Sequence, residues 1–274
     1  MSLLSQRVIL RDTDVSRELN DYKSGSVTPL YEQGDYLYIG AEVPFNNLWF
    51  EIATPNLLAA NIAIDVWWGN KWVPAVDIIN STGHPAALTQ SGRIQWNLDI
   101  LKGWDHEHET RFVTGLTDFD LYDMYWLRMS FSATLSAGMV ISYIGQKLAS
   151  EIDLYDFYPD LNKAALKTSF AANKEDWDRQ LYLATDEVIR ALKGRGKLFH
   201  RGQILDHTVW TSATVHKTAE LIYHAMGQAY ENSRVLALRS FDEAMRVGYA
   251  RIDTNLSGRL SQQEKRAHTV FGSR

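Results

Sequence analysis

Two hydrophobic periodicities divide this 274-residue sequence, and the change between them constrains the fold more than any single motif. From Tyr36 to about Gln146, short runs rich in β-branched and aromatic residues alternate apolar and polar positions, as strands do. After Gln146 the apolar residues recur at helical spacing. We therefore predict an α+β protein of two domains, an N-terminal antiparallel β-sandwich of jelly-roll type followed by a C-terminal helical bundle.

The predicted strands are short and are separated by Gly, Pro and Asn. They cover residues 36–40, 47–52, 61–68, 71–76, 92–96, 125–131 and 139–144. Between two of them, Gly69-Asn70 has the composition of a two-residue hairpin turn.

Three helices are predicted, over residues 174–193, 208–230 and 234–250. Asn173 is the predicted N-cap of the first helix, with Asp176 three residues later, and Gly194 its end. The helix carries one apolar stripe, formed by Trp177, Leu181, Ala184, Val188 and Leu192. The domain boundaries that follow are an N-terminal arm at 1–35, a β-sandwich at 36–150, a helical domain at 151–252 and a C-terminal turn and arm at 253–274.

Seven of the nine tryptophans lie between Trp49 and Trp126, inside the strand-rich region. Large rings either fill the space between two sheets or stack on sugar faces, and the first use is the commoner one. Trp67 and Trp68 are adjacent, so they point to opposite faces of their strand. These two are the predicted contact residues among the aromatic side chains.

Cysteine is absent, which excludes disulfides, Cys-ligated metals and thiol nucleophiles. No run of 18 apolar residues and no signal-peptide pattern occurs, so no membrane anchor is expected. No hydrolase, metalloprotease, dinucleotide-binding or kinase signature occurs either. We predict that the protein is not an enzyme and needs no cofactor.

The charge is uneven along the chain. Residues 1–150 carry 10 Lys+Arg and 17 Asp+Glu, a net charge of −7, whereas residues 151–274 carry 18 and 16, a net charge of +2. A polarity of this kind can orient a protein between two partners. The predicted basic contact residues lie in the loop 194–202 and on the third helix, and they are Arg195, Lys197, Arg201, Arg234, Arg239 and Arg246.

Residues 253–264 match the spacing of an EF-hand loop, with oxygen side chains at the ligand positions and Gly258 at the sixth. The candidate calcium ligands are Asp253, Asn255, Ser257 and Glu264. Only two of these are carboxylates, and few carboxylates mean weak calcium affinity. The alternative, which this shortage favours, is a polar turn with Gly258 at positive φ.

A family resemblance covers most of the chain. The string Leu154-Tyr155-Asp156-Phe157-Tyr158-Pro159-Asp160-Leu161 resembles the opening of the helical head-to-tail connector (neck or adaptor) proteins of tailed bacteriophages. The Trp177 helix, the helix around residues 218–223 and the turn 253–264 are similar to the same family. The strand-rich half, through residues 38–40, 44–46 and 125–128, is similar to β-domains of phage neck and baseplate proteins.

The resemblance implies a helical bundle of connector type and a homo-oligomeric ring, commonly of twelve copies, that joins the portal to the tail and continues the DNA channel. Its implied partners are the portal protein, a tail or neck-terminator protein and, transiently, packaged DNA, with no membrane. The implied location is the virion neck at the capsid vertex, after synthesis in the host bacterial cytoplasm. Two alternatives stay open: a phage tail or baseplate protein whose β-sandwich binds host carbohydrate, and a calcium-regulated enzyme or binding module.

Overall fold

A computed structural model describes residues 6–11, 13–22, 27, 34–84, 86–98, 103–107, 123–247 and 252–266. The chain forms two compact units, which we call the strand unit (Met1–Gln146 with Asn255–Arg259) and the helical unit (Lys147–Thr254 with Leu260–Arg274). Antiparallel sheets and helices are both present, so the predicted α+β class is confirmed.

The strand unit contains two antiparallel sheets. Its strands are β1 Gln6–Leu10, β2 Thr13–Asp14, β3 Leu37–Ala41, β4 Asn47–Thr54, β5 Ile62–Trp68, β6 Lys71–Pro74, β7 Val76–Asn80, β8 Gly92–Asn97, β9 His106–Glu107, β10 Met124–Phe131 and β11 Val140–Gly145. The larger sheet has the order β2-β1-β3-β10-β5-β6, with β9 also paired to β10, and the smaller sheet has the order β11-β4-β8-β7. Strands β1 and β2, together with the short helix α1 (Ser16–Leu19), lie in the segment predicted to be an N-terminal arm.

One hydrophobic cluster takes side chains from both sheets. Ile39, Ile64 and Leu127 come from the larger sheet, and Phe50 and Ile144 come from the smaller one. Because side chains alternate along a strand, one residue in two enters this cluster, which explains the period of two in the sequence.

The predicted hairpin turn between β5 and β6 is confirmed. Gly69 and Asn70 have φ angles of 59° and 58°, and Trp68 pairs with Lys71 on either side of them. A two-residue turn that matches the twist of a hairpin needs positive φ at both central positions, and Gly and Asn are the residues that adopt it most easily.

The helical unit contains α2 Glu151–Phe157, α3 Ala164–Phe170, α4 Asp178–Gly194, α5 Thr208–Met226, α6 Glu231–Val247 and α7 Gln262–Arg266. The predicted apolar stripe of α4 is confirmed, since all five of its residues are buried. The predicted N-cap is wrong. Asn173 lies in the left-handed region at φ 58°, where an N-cap residue is normally extended, and Trp177 takes the N-cap position instead.

Helix α5 is the centre of the helical unit. Its first half packs into a cluster with Leu192 and Met245, and its second half into a cluster with Trp177 and Leu181. Gly227, at φ 82°, ends α5 and a single 3₁₀ turn leads into α6, so the two helices pack as antiparallel neighbours. In the described part of the chain, no helix is both long enough and apolar enough to span a membrane.

Candidate functional site

An open cleft with a volume near 420 Å³ lies at the C-terminal end of α5. It is lined by Leu166 and Ser169 of α3, by Tyr223, Tyr230 and Ser233, and by the ion pair of Asp160 and Lys163. A volume of this size accommodates a small ligand or a large apolar side chain.

Two tyrosines contribute flat aromatic surface to the cleft. Tyr223 and Tyr230 are stacked, with ring centroids 5.9 Å apart and planes 9° apart. Behind them, the Tyr158 hydroxyl lies 2.8 Å from Nδ1 of His216. Burial raises the pKa of Tyr158 to about 12 and lowers the pKa of His216. These two groups are therefore neutral near pH 7 and add no charge to the cleft, whose lining combines aromatic rings with the ion pair of Asp160 and Lys163.

The opposite end of α5 carries an exposed aromatic side chain. Phe199 is 59% exposed in the loop before α5, while its neighbour Leu198 is buried and anchors that loop. Helix α5 has 19 residues and is about 28 Å long, with this loop preceding its N-terminus and the cleft near its C-terminus.

The structure brings some predicted basic residues together and separates others. Arg195 Nη1 donates to the Met245 carbonyl at 3.4 Å, which places Arg195 against the last turn of α6, the turn that carries Arg246. Lys197 and Arg201 belong to the Phe199 loop, and Lys197 is exposed. Arg234 lies at the other end of α6 and is ion-paired with Glu231 at 2.7 Å and with Glu220 at 3.5 Å, while Arg239 is exposed between the two ends.

In the strand unit, Trp67 and Trp68 point to opposite faces of the larger sheet. Trp68 packs against the hydrophobic cluster that takes side chains from both sheets. Trp67 belongs to a separate cluster on the outer face, with Tyr38 and Trp126, and is only 6% exposed. Trp67 is therefore covered by its neighbours and Trp68 is partly buried, and both remain contact residues by prediction.

The same outer face holds a clamped arginine that sequence reasoning missed. The Arg128 guanidinium carbon lies 4.4 Å from the ring centroid of Tyr36 and 4.9 Å from that of Trp72. Arg128 Nε donates to Asp65 Oδ2 at 2.7 Å. The available signal was the alternation in Tyr125-Trp126-Leu127-Arg128, which places Arg128 and Trp126 on one face.

The predicted calcium loop is braced by its own hydrogen bonds. Asn255 Oδ1 accepts from the Ser257 amide at 3.0 Å, and Gly258 has φ 72° as expected for the turn. Glu264 accepts from the amide and hydroxyl of Thr254 and from the amide of Ser261. Among the described residues, no group of three or more His, Asp or Glu side chains could hold a metal ion. The geometry fits a polar turn, while Asp253, whose side chain is fully buried, remains a calcium ligand only by prediction.

Glu264 helps to cap the N-terminus of α7. Ser261 and Glu264 exchange amide and side-chain hydrogen bonds, which is a capping box. Burial alone would raise the pKa of Glu264, but hydrogen bonds from Ser261 and Thr254 outweigh burial and hold it at about 2. The ordinary value is near 4.5, so the carboxylate contributes stability above that pH and loses it as the pH falls toward 2.

Replacing Glu264 by Gln is expected to destabilise the helical unit by about 3 kcal/mol at neutral pH. The difference from the wild type should shrink as the pH falls toward 2. Denaturant unfolding at several pH values measures it, with Gln262→Ala, at an exposed position of the same helix, as the control. The polar turn would be contradicted if Glu264→Gln were as stable as the wild type without calcium and lacked a stabilisation that calcium gives the wild type. That result would support a bound calcium ion.

Comparisons with known proteins show no family for this chain. No protein-family model matches the chain, and no curated protein matches it. Among solved structures, "CpGH89CBM32-6 produced by Clostridium perfringens" is 12% identical, over 52% of this chain and 91% of that chain, with a TM-score of 0.28. A TM-score of this size does not define a shared fold.

Proposed function

We propose that this chain is a virion structural protein, a head-to-tail connector that forms a ring between the portal and the tail and continues the DNA channel. In this proposal the strand unit is a β-sandwich of jelly-roll type and the helical unit is a bundle of connector type. The protein functions in assembly and not in catalysis. The observation that supports it is that the helical unit has both an exposed apolar side chain, Phe199, and an open cleft that contains aromatic rings.

A closed ring of identical subunits needs two different, complementary patches on each subunit. Phe199 and the cleft at Tyr230 meet that requirement, because they lie at opposite ends of α5. A Phe side chain from one copy fits the size of the cleft on the next, and its insertion removes an exposed apolar ring from water.

The basic residues beside Phe199 are consistent with a channel. Arg195, Lys197 and Arg246 gather at one end of the helical unit, in the part of the sequence with a net charge of +2. So small an excess neutralises few phosphates, which suits DNA that must slide past. The proposed partners are the portal, a tail or neck-terminator protein and eleven further copies of the chain, at the virion neck.

Native mass spectrometry and negative-stain microscopy test the ring. We expect closed rings of the purified chain, alone or after addition of a portal protein. Phe199→Asp should abolish them, because the variant lacks the apolar ring whose removal from water stabilises the contact. Ser169→Trp, which fills the cleft from its wall, should have the same effect.

Leu57→Asp is the matched control, because it places the same charge at an exposed apolar position of the strand unit. A chain that stays monomeric with and without the portal overturns the connector. Rings that persist in both Phe199→Asp and Ser169→Trp leave the connector standing and overturn the Phe199 interface.

A further inference from the structure

The clamped Arg128 occupies a fixed position on the outer face of the larger sheet. Strand β10 pairs with β5 so that Arg128 lies directly opposite Asp65, and with β3 so that it lies opposite Tyr38. A central strand with neighbours on both sides is held by two ladders of backbone hydrogen bonds. The guanidinium is therefore positioned before any ligand arrives, which lowers the entropic cost of binding.

The contacts of the Arg128 guanidinium with described residues involve two aromatic rings and the Nε atom. The rings of Tyr36 and Trp72 lie against the guanidinium, and Nε is bonded to Asp65. Within the described residues, neither Nη1 nor Nη2 is bonded to a protein atom, and Asp65 uses only Oδ2. The side chains of Arg128 and Asp65 are 23% and 20% exposed, so water reaches both.

The Arg128–Asp65 pair therefore has two donor groups and one acceptor oxygen that are not bonded within the described residues, and two aromatic rings lie against the guanidinium. We propose that this pair binds a neutral carbohydrate through a pair of vicinal hydroxyl groups. A hydroxyl both donates and accepts, so two neighbouring hydroxyls accept from Nη1 and Nη2 while one of them donates to Asp65 Oδ1. The apolar C–H groups of the sugar then contact Tyr36 and Trp72.

Charge separates this ligand from anionic ones. The Arg128–Asp65 pair has no net charge, so a phosphate or carboxylate gains little from the guanidinium while Asp65 repels it. Residues 1–150 also have a net charge of −7, which opposes nucleic acid. The proposed sugar site is distinct from Trp67 and Trp68, whose rings are covered or turned toward the core, and it does not depend on ring assembly.

Titration with neutral mono- and disaccharides, followed by calorimetry and by tryptophan fluorescence, tests the site. Trp72 lies against the guanidinium, so its emission should change on binding. Arg128→Lys keeps the charge but removes the two-nitrogen fork, and it should weaken binding at least about tenfold, which is about 1.4 kcal/mol. Asp65→Asn should weaken it as well, since the ligand loses its charged acceptor.

Arg7→Lys is the matched control. Arg7 pairs with Asp14 in the same sheet, and both side chains are 23% exposed, so this variant should bind sugar like the wild type. Trp72→Phe keeps an aromatic ring and should bind more weakly while it remains folded. It therefore tests the site a second time without any change at Arg128. Absence of saccharide binding, equal binding by Arg128→Lys, or binding confined to acidic sugars and acetate would each overturn the proposal. Ring formation by Arg128→Lys would show that ring assembly does not depend on the sugar site.

Discussion

Replacing Trp177 by alanine is expected to destabilise the helical unit by about 4 kcal/mol. Trp177 is fully buried, and its Nε1 donates to the Leu161 carbonyl at 2.8 Å. Its ring also meets Phe170 edge-on, with centroids 5.1 Å apart. The substitution removes the ring from the cluster beneath the cleft and leaves a buried carbonyl without its donor, and both losses act in the same direction.

Denaturant unfolding followed by the helical circular dichroism signal measures this effect. Trp177→Phe should cost about half as much, because it retains a ring and loses the hydrogen bond. Phe157→Ala is the control, since Phe157 is an aromatic residue of the same unit that is 51% exposed, and it should cost less than about 1 kcal/mol. A Trp177→Ala protein as stable as the control would mean that the cluster repacks around the missing ring.

The importance of Trp177 was visible in the sequence, whereas its role at the helix start was not. Residues spaced by four and three, such as Trp177, Leu181 and Ala184, share one face of any helix, so the buried stripe follows from spacing alone. The choice between Asn173 and Trp177 as N-cap depends on the backbone at Asn173, whose positive φ is set by the loop from α3. Propensity alone favoured Asn173.

Strands were predictable to different degrees for a similar reason. Strand β5 is predicted by its alternation of apolar and polar residues, and the Gly69-Asn70 turn is predicted by its residue types. Strand β1 is a short apolar run that becomes a strand by pairing with β3, about 30 residues later in the chain. A local pattern does not contain that pairing.

The Arg128–Asp65 pair depends on long-range strand register, and sequence reasoning therefore did not find it. Arg128 and Asp65 are 63 positions apart, and they meet because β10 and β5 pair in one register. A shift of one residue would move Arg128 to the opposite face of the sheet. Alternation did place Trp67 and Trp68 on opposite faces, but it gave no information on what covers Trp67.

Removing the charge of Asp178 is expected to destabilise the helical unit by about 3 kcal/mol, because it removes a carboxylate that is hydrogen-bonded to a buried ammonium. The side chain of Lys147 is 2% exposed, and its Nζ lies 2.8 Å from Asp178 Oδ1 and 5.0 Å from the ring centroid of Tyr182. Asp178 is also in the first turn of α4, where a negative charge is favourable. Asp178→Asn removes both contributions.

A double-mutant cycle separates the ion pair from the packing around it. Lys147→Met keeps an unbranched apolar side chain and removes the charge that needs a partner, so it should cost about 1 kcal/mol or less. Combining Lys147→Met with Asp178→Asn should recover most of the loss caused by Asp178→Asn alone. The exposed pair Lys163–Asp160, whose side chains are 68% and 69% exposed, is the control, and its variants should stay within about 0.5 kcal/mol of the wild type. If Asp178→Asn were no more harmful than Asp160→Asn, the buried ammonium would be held by its other neighbours, and the Lys147–Asp178 pair would contribute no more than an exposed one.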